Sequence, residues 1–195
     1  MDDPISFRDE TVWLNGFYQL AIEVGSRDDG CFGALVESVS AAAGVGEWYR
    51  RRDVEPEEQV PVACAMTSFR NGERLFGKVT LPNGRGVVCG LFAIRPEEYP
   101  HWLVFYIPGG ALERVGLAYE DGVSWYRSGT VDDWFAEIGA QAFARVPFLL
   151  GVIGLEVSAL TSAEELGGSP EKWHGTGFLI PGQEGLRYHP ARENG

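Results

Sequence analysis

The sequence is poor in the residues that mark disulfide, zinc and membrane proteins. It contains three cysteines and no pair at CxxC spacing, which predicts neither a disulfide framework nor a zinc site. The neighbours of Cys31, Cys64 and Cys89 are small or apolar, which predicts buried free thiols. No run of roughly eighteen apolar residues occurs, so no membrane-spanning helix is expected. The acidic N-terminus has no apolar segment typical of a signal peptide, and we expect a cytoplasmic protein.

The short motifs of common catalytic chemistry are missing as well. The chain has no P-loop, no strand followed by GxGxxG, no GxSxG elbow, and no HExxH or EF-hand pattern. We therefore predict no cofactor and no bound metal.

Positive charge is scarce. The chain carries 16 Lys and Arg against 28 Asp and Glu, which gives a net charge of -12. Such a surface repels phosphate backbones, so neither nucleic acid nor an anionic membrane is expected as a partner. It attracts a basic protein or a cationic ligand, although the same charge also serves solubility alone. The 14 arginines against 2 lysines, with abundant Ala and Gly, indicate a GC-rich coding bias.

Size and composition are those of a single globular domain. The 195 residues are 45% hydrophobic and 23% charged, and no linker or composition shift divides residues 1–195. Aromatic residues make up 12% of the chain, including six Trp. These rings favour a well-packed core and a binding site equally.

The apolar periodicity predicts an α+β fold. Period-two alternation indicates a strand at 17–24, and helical spacing indicates two main helices, at about 28–43 and at 131–146 behind a capping box at 130–133. Between them, turn residues separate β-rich runs, which predicts a central antiparallel meander over 60–107. Its four strands are expected at 60–69, 74–81, 87–95 and 101–107.

The second half of the chain adds further strands. A long apolar strand is expected at 148–160, in the same sheet as the first strand, and two short runs follow at 177–180 and 186–188. A further hairpin is predicted around Asp121-Gly122. We therefore expect a mostly antiparallel sheet of about six to eight strands, with the two helices packed on it.

Glu23 and Glu156 are the first candidate catalytic residues. Each is a lone carboxylate in an apolar strand. The sequences around the two residues are similar, which is explained either by chance or by an internal duplication. If the two strands are neighbours, the carboxylates can share one site, where their repulsion raises one pKa and allows acid-base chemistry. The alternative is that each faces solvent or pairs with an Arg. Small neighbours on the same faces leave room for a ligand or for a covering helix.

His174 is the third catalytic candidate, because histidine titrates near neutral pH and this one lies in a Gly-rich loop. It is also a candidate partner for a nucleophilic Cys64 or Cys89, although their apolar neighbours favour inert burial. Its neighbour Trp173 is a candidate contact residue for a ligand.

The second group of candidate contact residues is the only basic cluster in the sequence. Two large aromatic residues come directly before its arginines. Arg and aromatic residues are enriched in binding hot spots. In the simpler interpretation the rings anchor the loop, and the arginines pair with Asp53, Glu55, Glu57 or Glu58. The cluster consists of Trp48, Tyr49, Arg50, Arg51 and Arg52.

The leading hypothesis is a non-catalytic domain that binds a protein or small-molecule ligand. In class and charge the chain is similar to bacterial immunity proteins, which mask toxins, and this likeness implies a basic partner. The alternatives are an acid-base enzyme that uses Glu23, Glu156 and His174, or a small-molecule carrier whose cavity is lined by both glutamates and aromatic residues. The sequence indicates no oligomeric state.

Overall fold

A computed structural model of the chain describes residues 6–97, 100–118, 127–170 and 173–192, without the side chains of residues 70 and 71. Within these ranges the fold is α+β, as predicted. It has eight strands: β1 (Phe17–Val24), β2 (Trp48–Tyr49), β3 (Arg74–Thr80), β4 (Gly86–Ile94), β5 (His101–Pro108), β6 (Leu150–Leu155), β7 (Gly177–Gly182) and β8 (Gly185–His189). Its α-helices are α1 (Asp29–Ala43), α2 (Gly109–Arg114), α3 (Gly129–Phe143) and α4 (Ala163–Leu166).

All eight strands form one antiparallel sheet in the order β2-β3-β4-β5-β1-β6-β7-β8. Strand β1 lies at its centre and pairs with β5 and β6, which confirms that the first strand and the later apolar strand share a sheet. Alternate residues of β1 point to opposite faces. Tyr18, Leu20 and Ile22 belong to the main core with residues of α1 and α3, and we call this side the helix face.

The two long helices begin and end at capping residues. The carboxylate of Asp28 accepts a hydrogen bond from the backbone N–H of Cys31 (2.8 Å), and Gly44 ends α1 in the left-handed conformation (φ 73°). Helix α3 begins earlier than predicted: its cap is Ser128, whose side chain accepts a hydrogen bond from the backbone N–H of Val131 (3.3 Å). Thr130 lies inside the first turn, so the predicted capping box at 130–133 is wrong.

Three of the four predicted meander strands are present as β3, β4 and β5. The run at 60–69 is not a strand, because a 3-10 helix at Met66–Gly72 follows a single bridge between Val62 and Trp48. Strand β2 pairs with β3 in its place. Strand β6 is also shorter than expected, since Glu156 at φ 51° turns the chain away after Leu155. The predicted hairpin around Asp121-Gly122 lies outside the described residues.

Two segments cover parts of the other side of the sheet, which we call the second face. Near β3, the 3-10 helix Glu10–Trp13 places Trp13 against Phe76 (ring centroids 5.4 Å apart). Near β6, the chain after Glu156 crosses the sheet and carries α4. It closes a smaller apolar cluster of Ala21, Trp102, Val104, Leu150, Val152, Val157, Leu166 and Phe178.

A buried polar group joins β1 to the start of α3. The hydroxyl of Tyr18 donates a hydrogen bond to Asp132 Oδ1 (2.6 Å), and Arg127 Nε lies 3.7 Å from Asp132 Oδ2. Asp132 is buried. Burial is the largest influence on this carboxyl and raises the pKa of Asp132 to about 6, although the Tyr18 hydrogen bond and the charge of Arg127 act in the opposite direction.

The three cysteines are free thiols, as predicted. Cys89 is buried, whereas Cys31 and Cys64 are half-buried, so complete burial is wrong for two of them. Burial raises the pKa of the Cys64 thiol to about 11, which disfavours its reactive thiolate. No helix among the described residues is long and apolar enough to cross a membrane.

Candidate functional site

The structure places Glu23 and Glu156 at opposite ends of β1. Strands β1 and β6 are neighbours, but they run antiparallel, with Glu23 opposite Leu150 and Tyr18 opposite Leu155. Glu156 therefore lies beside Phe17, whose backbone N–H donates a hydrogen bond to Glu156 Oε1 (2.7 Å). Six residues of strand separate the two positions, or about 20 Å. The two carboxylates do not meet in one site.

Glu23 holds the segment that covers the second face. Its Oε2 accepts a hydrogen bond from the backbone N–H of Ala163 at the start of α4 (2.6 Å). On the same face of β1, the Oε1 atom of Gln19 accepts from the backbone N–H of Ser158 (2.8 Å). Burial is the main cause that raises the pKa of Glu23, and the charges of Glu164 and Glu165 act in the same direction. Glu23 is therefore a buried anchor for α4. This helix is the covering helix for which the small neighbours of Glu23 leave room.

We expect Glu23→Gln to change the free energy of unfolding by about 1 kcal/mol or less at pH 7, because the amide oxygen still accepts from the Ala163 N–H. Glu23→Ala leaves that N–H without its acceptor and should cost about 2 kcal/mol. A raised pKa in the folded state means that the stabilisation from Glu23 is lost as pH rises through that pKa, so Glu23→Gln should gain relative to the native protein at higher pH. Urea unfolding at pH 5 and pH 8 measures both effects. Equal losses for the two variants would show that the charge itself is required.

Among the residues that the structure describes, His174 and Trp173 form no hydrogen bond or ion pair with Glu23 or Glu156. The imidazole of His174 is exposed, and within the described part of the chain it has neither a hydrogen-bond nor an ion-pair partner. Trp173 is half-buried against Phe178 (ring centroids 6.2 Å apart), where it lines a cavity of about 240 Å³ together with Tyr188 and His189. The catalytic roles of Glu23, Glu156 and His174 stay predictions, and no contact joins them.

The segment from Trp48 to Arg52 contains residues that hold the local structure together and one residue that is exposed. The Trp48 indole N–H donates to Ser40 Oγ (2.8 Å) and the Tyr49 hydroxyl donates to Glu47, so both rings anchor the segment. Arg50 pairs with Glu73 (2.8 Å) and Arg51 with Asp53 (2.7 Å). The ring contacts and the Arg51 pair agree with the simpler interpretation, whereas Arg50 pairs with a carboxylate outside the predicted set. Arg52 is exposed and lies over the ring of Trp13 (5.9 Å).

Arg52 belongs to a larger group on the second face, which we call the arginine–aromatic patch. Its centre is Arg74, whose guanidinium lies over the ring of Phe92 (4.7 Å to the centroid) and over that of Phe17 (5.1 Å). Both phenyl rings are half-buried, and Arg74 is exposed. The patch consists of Trp13, Phe17, Arg52, Arg74, Phe92 and Tyr106.

Tyr106 forms the floor of the patch. Its buried ring lies 4.3 Å from that of Phe17 and 5.8 Å from that of Phe92, centroid to centroid. The ring lies directly on β4, because Gly90 has no side chain: a Cβ there would be 2.2 Å from Tyr106 Cζ. Gly90 therefore allows a large ring to lie flat on the sheet.

The electrostatics of the patch differ from those of the whole chain. Among the described residues no carboxylate forms an ion pair with Arg52 or Arg74. Burial raises the pKa of Tyr106 to about 12, while the positive charges of Arg74 and Arg52 both act to lower it. The two arginines thus form a positive area on a protein of net charge -12.

A larger cavity of about 650 Å³ lies at the start of α1, lined in part by Arg27, Arg95 and His101. Its half-buried cation, Arg95, is already neutralised. Arg95 pairs with Asp29 (2.7 Å) and donates a hydrogen bond to His101 Nδ1 (3.3 Å). These contacts connect α1 to β4 and β5. Within the described ranges no group of three or more His, Cys, Asp or Glu side chains is placed to hold a metal ion.

Sequence reasoning found Arg52 and missed the other patch residues. Phe17, Arg74, Phe92 and Tyr106 come from four different strands, and no short motif joins them. One local signal exists: Gly90 interrupts an apolar strand, and an isolated Gly in a strand indicates close approach of another group.

Among the described residues, the structure is a single-sheet α+β fold with a positive, aromatic patch on its second face. Comparison of the chain with protein-family models, with curated proteins and with solved structures finds no match.

Proposed function

We propose that this chain is a non-catalytic binding domain and that the arginine–aromatic patch is its contact surface. The observation that carries this proposal is the position of Arg74, exposed between two phenyl rings with no carboxylate partner among the described residues. Arg and aromatic residues dominate binding hot spots, where a flat cation and its flanking rings together exclude water from a contact. The acid-base alternative has less support, because its two carboxylates lie at opposite ends of β1.

The proposal is tested by capturing partners from a lysate of the source cells with the immobilised full chain and quantifying the bound proteins by mass spectrometry. We expect Arg74→Ala combined with Phe92→Ala to reduce the bound amount of the specific partner at least tenfold, as loss of a hot spot of about 2 kcal/mol implies. Arg145→Ala is the matched control, since Arg145 is an exposed arginine just beyond α3. Unchanged capture by the patch variant would contradict the proposal.

A second candidate function follows from the net charge of -12: masking of a basic partner, as the likeness to immunity proteins implies. A basic partner would contact the carboxylates outside the patch. Its capture should therefore survive the patch variant and weaken strongly between about 10 mM and 150 mM salt, as the Debye length falls from about 30 Å to about 8 Å. Running the same capture at both salt concentrations separates the two functions.

A further inference from the structure

The orientation of the Arg74 guanidinium determines which of its N–H groups a ligand can reach. Phe17 and Phe92 lie against the guanidinium at 5.1 Å and 4.7 Å from their ring centroids. The five N–H donors of a guanidinium all lie in its plane, in a fork that matches two oxygens of a carboxylate. Arg74 also acts as a hydrogen-bond donor towards the Tyr106 hydroxyl, so the rings and this hydroxyl hold its orientation in advance and the other N–H donors of the fork are available. Little conformational entropy remains to be lost when an anion binds there.

Arg52 supplies a second positive charge to the same area. It lies 5.9 Å from the centroid of the Trp13 ring and is exposed. Trp13 packs on Phe76, which lies two residues beyond Arg74 in β3, so Arg52 is on the same face of the sheet as Arg74. In the described part of the chain neither has a carboxylate partner.

The charge of the whole chain limits what the two arginines can bind. At a net charge of -12, a polyanion such as nucleic acid is repelled along its whole length, and two arginines do not offset this. A single carboxylate meets far less repulsion. The half-buried rings of Phe17 and Phe92 beside the charge favour apolar neighbours of that carboxylate.

We infer that the arginine–aromatic patch binds an acidic segment of a partner protein, with a Glu or Asp carboxylate on the edge of Arg74 and an adjacent apolar side chain against Phe17 or Phe92. This inference rests on the proposed binding function and names the chemistry of its ligand. Arg74 receives the carboxylate through two N–H donors, and Arg52 adds its charge.

The test uses a capped five-residue peptide with glutamate at its third position, leucine at its second and fourth positions, and glycine at both ends. The full-length protein, labelled with ¹⁵N, is titrated with this peptide while the Nε–H signal of Arg74 is followed. A peptide with glutamine in place of glutamate should bind at least tenfold more weakly. Arg74→Ala should weaken the glutamate peptide at least tenfold. Arg74→Lys should weaken it nearly as much, because lysine keeps the charge but loses the flat fork. Arg145→Ala should bind like the native protein.

Several results would overturn the inference. They are equal affinity for the two peptides, no binding of either, or native affinity in Arg74→Lys. Displacement of the peptide by inorganic phosphate at equal concentration would assign the site to small oxyanions instead. Sedimentation that shows a dimer lost in Arg74→Ala would make a second copy of this chain the occupant. If partner capture depends on Arg74 while neither peptide binds, the carboxylate chemistry fails and the binding function stands. If capture does not depend on Arg74, the proposed function fails.

Discussion

Replacing Gly90 with alanine is expected to lower the free energy of unfolding by about 3 kcal/mol, the largest effect of a single methyl group that we predict for this chain. The added Cβ would lie 2.2 Å from Tyr106 Cζ and 2.3 Å from its hydroxyl oxygen, far inside contact distance. The Tyr106 ring is 1% exposed and has no room to move inward, so either the ring or strand β4 must shift. Urea unfolding, followed by tryptophan fluorescence, measures the loss.

Gly86→Ala is the matched control in the same strand. Nothing lies within 4 Å of a Cβ at Gly86, so we expect a change of no more than about 0.5 kcal/mol. Gly90→Ala should also weaken binding at the patch, since a displaced Tyr106 no longer supports Phe17 and Phe92. Equal stabilities for the two variants would mean that Tyr106 does not lie on Gly90.

The second large effect concerns the pH dependence of stability at Asp132. Because burial raises the pKa of Asp132 from 3.8 to about 6, the folded state favours the protonated carboxyl. The resulting stabilisation is fully present below about pH 4 and is lost as pH rises through the folded value near 6. The full difference corresponds to about 3 kcal/mol, at 1.36 kcal/mol for each pKa unit.

Asp132→Asn removes this titration while its amide oxygen can still accept from the Tyr18 hydroxyl. We expect the stability of the native protein relative to Asp132→Asn to fall by up to about 3 kcal/mol between pH 4 and pH 7.5. Asp133→Asn, at an exposed position next to it in α3, is the control and should give a nearly constant small difference. Denaturant unfolding at several pH values provides the data. A flat difference for Asp132→Asn would show that Arg127 and Tyr18 compensate the burial of the carboxylate.

Local signals predicted the regular elements well. The alternation of apolar residues placed β1 at residues 17–24, and their helical spacing placed α1 at about 28–43, because each of these signals acts within a few residues of the chain. The same reasoning failed at residues 60–69, where the first strand of the meander was predicted. A hairpin needs a partner strand, and that place next to β3 is taken by Trp48 and Tyr49 from an earlier part of the chain.

The pairing of Glu23 with Glu156 shows a second limit of sequence reasoning. Both carboxylates lie where β-strands were predicted, and the two strands are indeed neighbours. Their antiparallel direction separates the carboxylates by the length of β1. Strand direction depends on the path of the whole connection between residues 24 and 150, which no short pattern reports.

The sequence by itself determined the class of this protein: its single α+β sheet, its helices and its negative charge follow from composition, periodicity and caps. Only the tertiary structure decided which residues form the arginine–aromatic patch. Phe17, Arg74, Phe92 and Tyr106 are separated by up to 89 positions in the chain, and they meet because the order and register of β3, β4, β5 and β1 place them on one face. Those registers are set by the simultaneous packing of both faces of the sheet, a property of the whole chain and of none of its segments.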